Sequence, residues 1–402
     1  MLEKALIKER NNSFYGWLFF LLVLIGIGMG AYIYQLIEGL TVTGMSRDIS
    51  WGLYIGQFTF FVGVAASAVM LVLPYYLHNV KEFGRITVVG EFLAIGSVIM
   101  CMLFILVDMG MPMRVLNMIL HPTPTSPMFW DMVVLSGYLL LNLFIGWNVL
   151  EAESKGVHPP KWVKVLIYIS IPWAVSIHTV TAFLYSGLPG RHYWLTALIA
   201  PKFLASAFAT GPALLIIICF LLKKFAGFDA GKEAIRKLSL IVTYSMCITI
   251  FMVAVEFFTA FYSQVPGHMA TLQYLFAGLH GHSGFVPFMW VFAILSVVAL
   301  VLLIPKKTRE KESTLLIGCI SVFISMWIEK GLSFVIGGLV ENPLGRITEY
   351  TPGLAEILII VGIWAIGAFI VSVLYKIVVS VKRETDVYSA NTIQISTRNE
   401  GL

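Results

Sequence analysis

The chain has 402 residues, 58% of them hydrophobic and only 12% charged, with a formal net charge of +5. A charged share about half that of ordinary soluble domains excludes a water-soluble globular enzyme and marks a polytopic membrane protein. The positive balance does not point to nucleic acid, because no interleaving of basic and aromatic residues accompanies it.

Ten apolar runs have the roughly 20-residue length needed to cross a hydrocarbon layer about 30 Å thick. They lie at 17–39, 51–77, 88–108, 129–150, 162–186, 202–222, 238–263, 284–305, 314–339 and 353–380. All are predicted to be α-helices, since a span must satisfy its own backbone in lipid and these runs lack the alternation of a membrane barrel. The first follows a polar segment, 1–16, without a small-residue cleavage site, and reads as a retained helix. The last precedes a polar segment, 381–402, that reads as a mobile tail.

Most of the 27 basic residues fall in the N-terminal segment (Lys4, Lys8, Arg10), the even-numbered loops and the C-terminal segment. The positive-inside rule then predicts cytoplasmic termini, with the odd-numbered loops facing outward. Those odd loops are poor in charge. "DMGMPMRVLNMILHPTPTSPMFWD" (108–131) predicts a short helix and turns along the outer interface, and "VPGHMATLQYLFAGLHGHSG" (265–284) carries no formal charge. Loops this apolar cover a site, dock a partner or pack into the interface. Tyr185, Trp194, Tyr262, Trp130, Trp51 and Tyr54 at span ends are accounted for by an aromatic belt.

Cys101, Cys219, Cys247 and Cys319 each stand in a different span without a second cysteine nearby, so the chain is predicted to bind no iron–sulfur cluster of its own. Covalent haem would need C-x-x-C-H, which is absent. A b-type haem needs histidines at matched depth, and His178 alone lies well inside a span. The His280-Gly-His282 pair is too closely spaced for one helical face, and no metal site is expected there.

A charge at the bilayer centre costs on the order of 2.5–3.5 kcal/mol, which makes each intramembrane ionisable group a functional candidate. His178 precedes Tyr185 by seven residues, about 10 Å below the outer end of its span. Glu256 lies at similar depth, and Glu329 and Lys330 lie near the middle of the ninth span. Neighbours on a helix point about 100° apart, so Glu329 and Lys330 each need a separate partner. Asp48, Asp108, Asp131 and Glu356 mark outer span ends, and Gln57 lies slightly inside. Each has a plain structural reading, such as a satisfied hydrogen-bonder or a carboxylate complementing a helix dipole. Their agreement on one face favours a site. An apolar slot with imidazole, carboxylates and tyrosines suits a quinone, whose carbonyls need hydrogen bonds and whose turnover moves two protons. Without a bound redox centre, the electrons must pass to a partner.

These residues carry a resemblance to a known family. Segment 108–144 is similar to the D-L-G-R-P-x-R … N-P-x-S-P-M-x-W-D motif of the polysulfide-reductase/NrfD membrane subunits. "SIHTVTAFLYSGLPGRHYW" (176–194) resembles the family's V-H-S … P-G-W-H, and 326–362 its M-W-x-E-R … Y-x-P-T-x-x-E. The subtype looks most like the DsrP or HmeC-type subunits of sulfate-reduction-associated complexes. The resemblance implies two four-helix bundles, 51–186 and 202–339, with 17–39 and 353–380 flanking, and "FTFFVGVAA" beside "ASAFATGPA" is a trace of that repeat. It implies exchangeable menaquinone as the ligand, a ferredoxin-like iron–sulfur subunit on the outer face, and further membrane and cytochrome subunits in an anaerobic respiratory complex.

On this reading His178, Asp131 and Glu256 are the catalytic candidates. Quinone binding falls to His178, Tyr185, Gln57, Asp108, Arg114 and Tyr262, a proton path to Glu329, Lys330 and Glu356, and partner docking to Arg191, His192 and His121. Two departures from the motifs, Met111 for an arginine and Arg191 for a tryptophan, imply that details of the quinone pocket or the partner contact differ from the family pattern. The rival reading is a secondary transporter or ion-translocating protein, which predicts broken helices meeting at the midplane.

Overall fold

In the computed structural model, residues 12–78, 80–340, 342 and 344–399 are described, with side chains described to Arg383. Lys4, Lys8, Arg10 and the Arg398 side chain, which entered the topology reading, lie outside the described residues. Ten helices are long and apolar enough to cross a membrane. They are α1 (Asn12–Glu38), α2 (Leu53–Leu77), α3 (Thr87–Asp108), α4 (Pro127–Ser154), α5 (Lys161–Ser186), α6 (Ile199–Ala226), α7 (Lys232–Tyr262), α8 (Val286–Leu303), α9 (Glu312–Leu339) and α10 (Leu354–Arg383). The protein is an all-α, multi-pass integral membrane protein, and no strand occurs among the described residues. The backbone of α10 continues as helix to Asn399.

Helices α2 to α5 pack in a ring, α2 on α3, α3 on α4, α4 on α5, and α5 back on α2. Helices α6 to α9 form a second ring in the same order, and α1 pairs with α10 against α3. The two rings meet along a seam where α2 touches both α6 and α9, and α5 touches α6. The odd-numbered connections all lie at one end of the bundles and the even-numbered, basic ones at the other. In the third connection, helical turns over Pro112–Leu116 and Asn117–Leu120 take the place expected for a short helix. In the seventh, Pro266–Phe276 adds a further helix.

Two interruptions mark the seam. Helix α2 loosens into a turn at 66–68, between the regular stretches Leu53–Ala65 and Val69–Leu77. Helix α9 changes to π-helical turns over Trp327–Phe334, leaving backbone groups that need outside partners. Gln57 on α2 supplies one, its amide donating to the Gly331 carbonyl at 3.0 Å. Its own oxygen accepts the indole N–H groups of Trp327 (2.9 Å) and Trp364 (3.2 Å). The backbones can approach this closely because position 56 is glycine, where a Cβ would lie 2.2 Å from that same Gly331 oxygen.

At the odd-loop end, Glu356 in the first turn of α10 accepts the backbone N–H of Gly44 and of Leu53, both at 3.0 Å, and the hydroxyl of Tyr350. Leu53 opens α2, so one carboxylate serves two helix N-termini, where the macrodipole favours negative charge. Among the aromatic residues assigned to a belt, Trp130 and Tyr262 are exposed as expected, but Tyr54, Tyr185 and Trp194 are fully buried. Trp194 reaches its place because residue 338 is glycine, where a Cβ would lie 2.0 Å from the indole.

Candidate functional site

The seam between the rings holds most of the polar chemistry. Lys202, one turn into α6 and only 1% exposed, extends its ammonium group between two carboxylates. Its Nζ lies 2.7 Å from Glu256 Oε2 on α7 and 2.7 Å from Glu329 Oε1 on α9. Lys330, the next residue on α9, points elsewhere, as neighbours on a helix must. Its Nζ donates to the Phe203 carbonyl at 3.1 Å and sits 4.3 Å above the Phe203 ring. Two buried cations therefore offset two carboxylates, Glu329 buried and Glu256 largely so, the arrangement that makes charge tolerable in hydrocarbon.

Across the seam, on α5, His178 is 1% exposed, and neither ring nitrogen has a hydrogen-bond partner. Lys330 is a charged neighbour. One turn further along α5, the Thr181 hydroxyl donates to Asp131 Oδ1 on α4 at 2.7 Å. A further turn on, the Tyr185 hydroxyl pairs with Thr59 of α2. The Tyr185 ring is boxed by Phe334 (5.0 Å between centroids), Trp194 (5.1 Å), Trp51 (5.6 Å) and Phe203 (6.0 Å). Edge-on contacts of this kind hold rings in one orientation. His178, Thr181 and Tyr185 thus share one face of α5, with an unpartnered imidazole beneath the aromatic chamber that the Tyr185 ring itself fills.

Arg191 closes the chamber from the odd-loop end, donating to the Leu339 carbonyl at 3.2 Å and approaching the Asp48 carbonyl at 3.5 Å. Burial lowers its pKa while the Asp48 carboxylate raises it. Asp48 is itself held below the usual carboxylate range by hydrogen bonds from Asn342 (3.0 Å) and Thr348 (3.1 Å). Tyr193, beside Phe334 and His268, has its hydroxyl pushed up by burial. His192 packs tightly over Gly267.

The residues proposed from the sequence separate into three groups. His178, Tyr185, Asp131, Lys330, Glu329 and Glu256 gather at or beside the seam, although Asp131 belongs to the first ring and Glu256 to the second. Gln57 and Glu356 lie away from His178 in hydrogen bonds to the protein itself, the one clamping the π-turns and the other capping α2. Asp108 keeps one buried oxygen unpartnered, close to the Tyr54–Glu356 corner. Tyr262 does not line the chamber: it is 77% exposed and stacks on Phe258 at 4.7 Å, one turn earlier on the same outer helix face. Arg114 and His121 are exposed on the third connection, outside the chamber.

Sequence reasoning missed Lys202 and Glu91. Lys202 stands at an expected span boundary, where a lysine reads as loop charge. Glu91 stands one turn into α3 beside a basic loop, yet is 1% exposed with both carboxyl oxygens unpartnered. Among the described residues, no three His, Cys, Asp or Glu side chains group as metal ligands.

Comparison with known proteins agrees with this architecture. The chain is 28% identical over 397 residues to the membrane component of a putative dimethyl sulfoxide reductase of Halobacterium salinarum, covering 89% of each chain. It is 24% identical to a component of the selenate reductase of Mesobacillus selenatarsenatis, covering 91% of this chain and 94% of the relative. It is 22% identical to the Hdr-like menaquinol oxidoreductase integral membrane subunit of Archaeoglobus fulgidus, covering 84% and 86%. The family model described as polysulphide reductase, NrfD, matches residues 41–340, both rings and the seam between them, and the protein belongs to that family.

Proposed function

We propose that the protein is the quinone-interacting integral membrane subunit of an anaerobic respiratory complex. It exchanges electrons between menaquinone or menaquinol and an iron–sulfur partner docked on the odd-loop face, and the concentration of basic residues in the other loops supports an outward orientation of that face. The observation that carries this reading is His178, a buried imidazole with both nitrogens unpartnered, lying below the aromatic chamber around Tyr185. A buried polar group without a partner is costly unless something else occupies its hydrogen-bonding capacity. A quinone head group would meet that need, with an oxygen for the imidazole and a flat apolar ring to lie against the aromatic side chains. The named menaquinol oxidoreductase relative supports the choice of ligand.

In this reading the bound quinone supplies two-electron, two-proton chemistry, and the chain's own residues position it and manage protons. His178 holds the oxygen through a ring nitrogen, and Asp131, bonded to Thr181 one turn away, exchanges the proton. Lys202, with Glu256 and Glu329, fixes the electrostatic field of the second ring beside Lys330. Arg191 and His192 form the rim toward the partner, with His121 further out. The ion-translocating alternative draws on one observation, that α2 and α9 are both interrupted along the seam.

His178→Ala in the assembled complex tests the reading. Loss of an acid–base and positioning group predicts a fall in quinone-coupled electron transfer of about 10²-fold, with the subunit retained. Transfer at a normal rate in the variant would overturn the assignment.

A further inference from the structure

Glu91 has no role in the chamber, yet its burial is complete and its carboxyl group makes no hydrogen bond. It lies on α3 only four residues beyond Thr87, so it is about 6 Å from the basic-loop end of that helix. Its neighbours come from several helices. Gly146 on α4 packs directly over it, a Cβ there falling 3.2 Å from Glu91 Oε2. Tyr138 on α4 and Tyr76 on α2 are both electrostatic neighbours of Glu91, and Tyr76 is also one of Glu153. Glu153, half-buried at the basic-loop end of α4, is paired with Lys382 of α10.

The spacing on α4 joins these groups. Asp131, Tyr138, Asn142 and Gly146 recur at seven, four and four residues, which places them on one face, and all are buried. That face runs about 22 Å, from the odd-loop end to the level of Glu91. At its upper end is Asp131, bonded to Thr181 beneath the chamber. At its lower end is a free carboxyl group, within one turn of the basic loops. We propose that Glu91 is a proton-carrying residue linking the basic-loop face to Asp131 through the first ring; this rests on the quinone reading of the chamber.

The balance is simple. Reduction of one quinone takes two electrons from the partner's redox centre and two protons. Glu91 takes each proton from the Tyr76–Glu153 mouth and releases it toward Tyr138, which passes on its own hydroxyl proton as it accepts the incoming one. Asp131 receives it and is left unchanged after delivery. Quinol oxidation runs the same path in reverse. Tyr138 and Asp131 stand two turns apart, about 10 Å, with Val134 and Leu135 between them, so the proton crosses that leg on water molecules entering between the turns, and this is the slow step.

The test uses the whole complex in proteoliposomes with menadiol, the site's quinol analogue, as probe. Glu91→Gln preserves shape and removes the exchangeable proton. The expected result is menadiol affinity within twofold of wild type, turnover reduced at least tenfold, and loss of proton exchange with the basic-loop side, read by a pH dye confined to one compartment. Turnover and proton exchange at wild-type levels overturn the role of Glu91. Should E91Q not assemble, Tyr138→Phe decides the matter, expected to slow proton exchange at least threefold and overturning the path if it does not. Failure of the wild-type complex to bind menadiol brings down the quinone reading itself, a result distinguishable from either variant's behaviour.

Discussion

The two four-helix rings carry similar numbers of buried ionisable groups but treat them in opposite ways. In the second ring each charge has an answering partner, although Glu329 keeps one oxygen unpartnered: Lys202 bridges Glu256 and Glu329, and Lys330 rests on the carbonyl and ring of Phe203. In the first ring, His178 and Glu91 have no partner at all, and Asp131 has only a hydroxyl. Compensated charge is fixed in place, because removing either member strands the other in a medium that cannot solvate it. A buried group without a partner keeps its bonding capacity for a ligand or a proton. The contrast sets a first ring with open hydrogen-bonding capacity against a second ring whose buried charges are compensated.

Removing the central cation should break the second ring most severely. Lys202→Met leaves two buried carboxylates facing each other, which costs about 3–5 kcal/mol and should appear as a large fall in the thermal midpoint of purified protein. Glu91→Gln in the first ring orphans no partner and should shift the midpoint far less. Equal losses in the two variants would end the distinction between the rings.

The seam offers a smaller test. Gln57→Leu deprives the Gly331 carbonyl of its donor and the Trp327 and Trp364 indoles of their acceptor, at a cost of about 1–3 kcal/mol for each group left buried and unpaired. Faster amide exchange confined to 327–334 is the expected readout. Unchanged exchange there would show that the π-turns do not depend on α2.

The smallest effect lies outside the membrane. The backbone N–H of Gly284, and after it the His282 imidazole, hold the Glu349 carboxylate below its usual value. A depressed acid contributes its stability above the unfolded value, about 4.3 for glutamate, and loses it as pH falls through the lower folded value. Proteolysis of the 278–285 loop should therefore accelerate only in strongly acidic solution, modestly because the pair is exposed. Glu349→Gln should abolish that dependence.

Much of the fold was legible in the sequence. The expected spans differ from the observed helices by a few residues, five at the start of α1 and six at the start of α7. The short helical turns of the third connection were legible too, from its prolines and alternating polarity. The site was legible only in part. His178, Asp131, Glu256, Glu329 and Lys330 were conspicuous because ionisable residues are rare inside spans. Lys202 and Glu91 stand near span ends, where composition cannot tell a snorkelling side chain from a buried one. Trp194 and Tyr54 were read as belt residues for the same reason, and Tyr262 was drawn into the chamber although its helix turns it outward.

The sequence by itself determined the ten helices, because in lipid each span must satisfy its backbone within its own twenty or so residues, and that requirement is written locally in hydropathy. Only the tertiary structure decided which polar groups share a space. Lys202 meets Glu329 from 127 residues away, Gln57 meets Gly331 from 274, and Glu356 caps α2 across 303, while His178 and Glu91 meet no partner. Whether a buried charge is compensated or left open depends on the facing helix, and nothing in a residue's own neighbourhood along the chain records it.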